Sequence, residues 1–176
     1  MTKHFEGFDL SDFWRDSEYA RENYVDAPLT DEVLAAVEHE LGYTLPRAYV
    51  ELCRYQNGGY PKNGSHRTAT PTSWAHDHIA VTGIYSIGHV KHYALCGLMN
   101  SQFWIDEWGY PAIGVYFADC PSAGHDMLCL NYDACGPNGE PSVVHIDQES
   151  DYKITHVADN FEAFILGLEP DENFEE

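Results

Sequence analysis

Positive charge is scarce in this chain. Nine Lys plus Arg stand against 29 Asp plus Glu in 176 residues, a formal net charge of -20 with His neutral. Such a surplus repels phosphate backbones and anionic lipid at long range, so direct nucleic-acid binding is not expected. It favours solubility and speeds association with a basic protein partner. Long apolar runs are absent too: no stretch approaches the roughly 20 residues needed to cross a bilayer. The start, MTKHFEGFDL, lacks the apolar run of a secretory signal, so the expectation is a cytosolic protein with no membrane role. The cysteines, Cys53, Cys96, Cys120, Cys129 and Cys135, contain no Cys-x-x-Cys pair and are odd in number, which argues for thiols, mostly buried, rather than a disulfide framework. No internal repeat, linker or Gly-x-Ser-x-Gly nucleophile turn occurs. What remains, 44% hydrophobic, is long enough for one domain with a sizeable core.

The central stretch from Tyr110 to Glu149 organises the rest. Val115 to Ala118, Met127 to Leu130 and Ser142 to Ile146 are short, apolar and rich in β-formers, and read as buried strands. Turn residues separate them: Asp119, Pro121, Ser122 and Gly124, then Asp133, Gly136, Pro137, Asn138 and Gly139. An antiparallel meander follows, with His125, Asp126, Asp133, Glu140, His145, Asp147 and Glu149 near strand ends and turns.

Around it the pattern is helical. Residues 1–28 form an aromatic extension in which Phe13, Trp14, Tyr19 and Tyr24 fit a short helix capped near Ser11. Thr30 caps a helix with Val33, Leu34, Val37 and Leu41 as its apolar stripe and Gly42 as its stop. Pro46 opens a second, ended by Asn57-Gly58-Gly59. Residues 60–77 read as a mobile loop, 78–87 as a strand, and Lys91 to Trp104 as a helix that Gly97 weakens. Asp159 or Asn160 caps a last helix carrying Phe161, Phe164, Ile165 and Leu168, and 169–176 reads as a frayed acidic tail. The fold class is α+β: one domain over 29–168, with helices gathered on an antiparallel sheet.

Several of these pieces, in this order, carry a resemblance. Leu45-Pro46-x-x-Tyr49-x-x-Leu52, Asn57-Gly58-Gly59, Ile79 to Ile84, Trp108, Phe117-Ala118, Gly124 to Leu130, Val143-Val144-His145 and Phe161-x-x-Phe164-Ile165-x-x-Leu168 together resemble the SUKH superfamily, of the Smi/Knr cell-wall-synthesis-regulator type. The resemblance covers roughly residues 29–168. It implies a bent antiparallel sheet with flanking helices, no established enzyme activity and no cofactor. It also implies a protein partner: bacterial members are similar to immunity proteins that neutralise toxin domains, often nucleases, and fungal members act as regulatory scaffolds. Relatives commonly show Leu-Asp after the third strand, where this chain has Leu130-Asn131, with Asp133 nearby as a stand-in.

Three constellations bear on function. His76-x-His78 and His89-x-x-His92 have two-ligand spacing, and His125, Asp126, His145 and Asp147 add imidazole and carboxylate. No full ligand set sits in a recognised motif, so no metal is expected, and His76, His78, His125 and His145 are the weak candidates. His125-Asp126 beside Cys120 or Cys129 invites a thiol-enzyme reading, as does a metal enzyme on His125, Asp126 and His145. A buried thiol is inert and the turn can absorb both polar residues, so no catalysis is expected. The third is a binding face. Aromatics at Tyr60, Trp74, Tyr85, Trp104, Trp108, Tyr110 and Tyr116 mix with Asp106, Glu107, Asp119, Asp126 and Glu140, and with His125, in a composition suited to a protein interface, half of the tryptophans serving as core. The favoured expectation is a non-enzymatic binder of a basic toxin domain, with a regulatory scaffold as the alternative.

Overall fold

The computed structural model describes residues 4–174; the first three residues of the aromatic extension and the last two of the acidic tail lie outside the described residues. In chain order the strands are β1 (Trp14–Arg15), β2 (Tyr60–Pro61), β3 (Ser65–Arg67), β4 (His78–Ala80), β5 (Gly83–Ile84), β6 (Gly114–Asp119), β7 (Asp126–Asn131), β8 (Ser142–Asp147), β9 (Lys153–Ala158) and β10 (Leu168–Glu169). The helices are α1 (Glu18–Asn23), α2 (Asp31–Leu41), α3 (Arg47–Tyr55), α4 (Ser101–Trp108) and α5 (Phe161–Leu166). The architecture is α+β, as its pattern predicts.

The meander is the spine. Strands β5 to β9 form one antiparallel sheet in sequence order, and β6, β7 and β8 are almost entirely buried. That explains their continuous apolar runs, since a strand covered on both faces has no solvent side to mark with polar residues. A bulge between Tyr116 and Ala118 shifts the β6 register on β7. Helices α3 and α5 cover the sheet: Tyr49 stacks on Phe161 at 4.7 Å between ring centroids, Phe117 meets both Phe161 and Phe164 edge-on, and the Tyr49 hydroxyl donates to the Tyr85 carbonyl at 2.6 Å. Caps fall where the side chains dictate. Thr30 accepts from the Val33 amide, Gly42 closes α2 in the left-handed region, and Asn160 accepts from the Ala163 amide.

Several local expectations are corrected. The extension is not a helix from Ser11: Leu10–Asp12 is a single 3-10 turn capped by Asp9, the chain then pairs as β1 with β2, and α1 begins only after Ser17, whose hydroxyl accepts from the Ala20 amide. Residues 60–77 hold two short strands. The run 78–87 divides at Val81-Thr82: β4 pairs with β3, β5 pairs with β6, and the Thr82 amide donates to the Asp119 carbonyl at 2.8 Å. No helix forms over 91–99, where the Leu95 amide returns to the Ser86 carbonyl; α4 starts after Asn100, whose side chain accepts from the Phe103 amide at 2.6 Å. The last strand of the meander, β9, carries no clear sequence signal. Nor is 169–174 frayed. Strand β10 pairs with β3, Ser65 donates to Asp171 at 2.8 Å, Arg67 reaches Glu169 at 2.8 Å, and Phe174 stacks on His78 at 4.2 Å.

Candidate functional site

Antiparallel pairing gathers the polar residues of the meander at two opposite ends. Strand β6 finishes, β7 begins, β8 finishes and β9 begins at one end, so Asp119, His125, Asp126, Asp147 and the turn after Asp147 share it. The other end carries Asn131, Ser142 and the turn holding Glu140, with Tyr132 donating to the Thr44 carbonyl at 2.8 Å. Six-residue strands span roughly 17 Å, so Glu140 does not share a face with Asp126. It is exposed at the far end and is removed from the predicted cluster on that ground.

At the first end, a period of two separates neighbours. His125 points out and Asp126 points in. The His125 Nδ1 lies 2.7 Å from Glu149 Oε1 and 3.1 Å from Gln148 Oε1, and its ring meets Trp108 edge-on at 5.5 Å. Asp126 is 2% exposed; its Oδ2 lies 2.7 Å from His145 Nε2, and its other oxygen accepts the Ser122 hydroxyl. A catalytic group built on His125, Asp126 and His145 is therefore not assembled, because His125 turns away from the other two. Asp147 is buried; Oδ2 accepts from the Ser73 amide at 2.9 Å and the Ser150 hydroxyl at 3.2 Å. Burial pushes its carboxyl up, but the bonds from Ser73 and Ser150 outweigh that and hold it below the ordinary aspartate value. Cys120 and Cys129 are buried thiols held well above the ordinary thiol value by desolvation, which fits neither as a nucleophile.

The aromatic set splits by burial. Trp104 is 3% exposed, with its indole N–H donating to the Tyr85 hydroxyl at 3.0 Å, and Tyr110 is 2% exposed, donating to the Gly124 carbonyl at 2.6 Å. Both are core and leave the predicted surface, as Asp126 does, since side chains bonded to the interior cannot meet a partner. Gly124 is what lets the Trp104 and Trp108 rings close over the turn. Its φ is +95°, and a Cβ there would sit 2.8 Å from the Trp104 ring. Asp119, too, is committed internally: the Tyr24 hydroxyl donates to both its carboxylate oxygens, at 3.0 and 2.9 Å, and desolvation pushes its pKa up to about 7.

What stays outward is Trp74 at 43% exposed, the half-buried Trp108, and exposed Asp106, Glu107, His125, Glu149 and Asp151. The Ser73–Asp147 bond and the Lys153 ammonium on the Pro71 carbonyl at 2.8 Å fasten the Trp74 loop beside this end of the sheet. Trp74 also borders an open groove lined by Arg15, Lys62, His78 and Phe174. Glu149 was legible as a polar residue near a strand end; the role of the Trp74 loop was not, since only a bond 74 residues apart brings it here.

The predicted metal pairs fare no better than the triad. His76 and His78 both turn to Asp77, at 3.8 and 2.8 Å, and His89 faces Glu40 at 3.6 Å rather than His92. His125 and His145 do not converge.

Among the described residues, five α-helices around an antiparallel meander, with acids and indoles exposed at one end, describe an α+β domain. The family model SUKH_6, described as SMI1-KNR4 cell-wall, matches residues 31–165, and the chain belongs to that family. No curated protein and no solved structure gives a significant match. Among the described residues no helix is long and apolar enough to cross a membrane.

Proposed function

We propose that the chain is a non-enzymatic protein-binding domain of the immunity type, acting in the cytosol, that occludes a basic toxin domain with the end of the sheet bearing Trp74, Asp106, Glu107, Trp108, His125 and Glu149. The observation that carries this reading is the gathering of exposed carboxylates and indoles at one end of a rigid sheet in a chain of net charge -20. Membership of a family whose bacterial members resemble immunity proteins supports it. Rings supply buried area at an interface, and carboxylates complement Lys and Arg across it while steering the encounter. The action is steric and electrostatic. A second reading, a regulatory module with an endogenous partner, draws on the cell-wall description of the family and uses the same face.

The test is affinity capture from cells expressing the carboxy-terminal domain of the neighbouring gene, followed by stopped-flow association at increasing salt. Capture of a basic domain, with a rate that falls as salt rises, is the expected result. A rate indifferent to salt would exclude steering, and capture of an endogenous enzyme or scaffold in its place would favour the regulatory module.

A further inference from the structure

Five buried side-chain nitrogen or oxygen atoms lack a hydrogen-bond partner among the described residues, and three of them fall in one patch: His145 Nδ1, Asp147 Oδ1 and Thr155 Oγ1. Register explains the convergence. Thr155 on β9 is the direct partner of His145 on β8, Asp147 follows His145 by two and so shares its face, and Asp147 is in turn the direct partner of Asp126 on β7. Polar atoms in an interior are rarely left unpaired, so three together mark this end of the sheet as an unusually polar interior, although the ring nitrogen of His145 that faces Asp126 is Nε2 and not the unpartnered Nδ1. Against the same patch stands a third kind of ligand. A ring nitrogen of His145, a carboxylate oxygen of Asp126 and the Sγ of Cys120 all lie within 4.8 Å of one another, and all three residues are buried.

We propose that Cys120, Asp126 and His145 form a buried three-ligand binding site for one zinc-class divalent ion, with the carboxylate of Asp147, the cross-strand partner of Asp126, beside it but outside the ligand cluster. The donor set is the reason for the class: thiolate and imidazole together select a borderline-soft ion, and carboxylates complete its charge balance, whereas Mg2+ and Ca2+ ask for oxygen alone. Bonds of about 2.0 Å to nitrogen and about 2.3 Å to sulfur place tetrahedral ligand atoms roughly 3 to 4 Å apart. Hence the His145–Asp126 contact of 2.7 Å opens slightly while Cys120 closes in. On binding, the Cys120 thiol loses its proton to solvent as the S–metal bond forms, and the proton between His145 Nε2 and Asp126 Oδ2 moves to His145 Nδ1, so that the neutral imidazole and the carboxylate bind the ion in place of their hydrogen bond. Ser122, donating to the other oxygen of Asp126, holds that carboxylate in orientation. The three ligands come from the end of β6, the start of β7 and the end of β8, so the ion would clamp the same end of the sheet that bears the outward rim. This inference does not depend on the identity of any partner.

The experiment is a titration of the metal-stripped full-length protein with Co2+, read by absorption, with zinc X-ray absorption on the wild type as a measurement that needs no variant. Expected are saturation at one equivalent, a thiolate-to-cobalt charge-transfer band with tetrahedral d–d bands, bleaching of both by one equivalent of Zn2+, and a zinc shell of one sulfur and one imidazole. Cys120→Ala should abolish the charge-transfer band; Cys96→Ala should keep it. The second variant matters because exposed Glu40 and His89 with Cys96 form the other cluster of similar size. A band that survives Cys120→Ala but not Cys96→Ala, a zinc shell without sulfur or with two imidazoles, or no saturable binding by folded wild type would each overturn the proposal.

Discussion

Tyr24 shows how much one side chain from outside the matched region contributes. Its ring stacks on Tyr93 at 4.5 Å and meets Tyr60 edge-on at 5.1 Å, and a Cβ at Gly83 would fall 2.3 Å from it, so glycine there is a requirement of close approach. Its hydroxyl is the donor that satisfies the partly buried Asp119. Tyr24→Phe keeps the ring but removes the side-chain donor from that carboxyl, leaving it only backbone donors at Asp119 and Gly83, and should lower unfolding free energy by about 1 kcal/mol in urea titrations. His66 offers a pH test. It is buried against Phe164, its Nδ1 lies 2.8 Å from the Arg67 carbonyl, and desolvation lowers its pKa. The unfolded chain then takes up a proton below about pH 6.5 that the folded chain refuses, so this residue costs stability as pH falls through that range. His66→Gln should flatten the fall between pH 7 and 5; an unchanged slope would show that other groups set it. Residue identities such as these were visible in the sequence, but their partners were not, because Tyr24 and Asp119 are 95 positions apart.

At the scale of elements, local chemistry was a good guide wherever the element closes on itself. The Thr30 cap and the Gly42 stop of α2, the Asn160 cap of α5 and the three central strands follow from side chains within a few residues. It misled where an element exists only through pairing. Strands β3, β4 and β10 are two or three residues long and are held together by each other. Truncation after Gly167 tests this sheet. It removes the buried Leu168, the Arg67–Glu169 pair and the Ser65–Asp171 bond, and should destabilise the domain by more than the roughly 1.5–3 kcal/mol of one buried leucine, measured as a shift in the urea midpoint. A tail without structure would give no shift.

For the whole molecule, the two ends of the meander make a controlled comparison. Asp106 and Glu107 directly precede, on α4, the Trp108 whose ring meets His125, Glu140 lies at the other end, and all three acids are exposed. Asp106→Lys with Glu107→Lys should slow association with a basic partner by about 10-fold or more at low salt, an effect that shrinks as salt screens it. Glu140→Lys changes net charge but not that end, and should alter the rate much less. Slowing by Glu140→Lys equal to half the double variant's effect on the logarithm of the rate, in proportion to the charge each changes, would show that overall charge, rather than this rim, governs the encounter.

Composition and short-range pattern determined the α+β class, the acidic character, the central strands and the family resemblance, because each is carried by residue type and by periods of 2 or 3.6. Tertiary structure alone decided which tryptophans are core, that His125 and Asp126 face opposite ways into different company, that Glu140 lies a strand length from the rest, and that Cys120, Asp126 and His145 meet. Those are consequences of register and of contacts between distant positions, and strand periodicity, which gives only the order of faces along one strand, carries no information about which strand stands opposite.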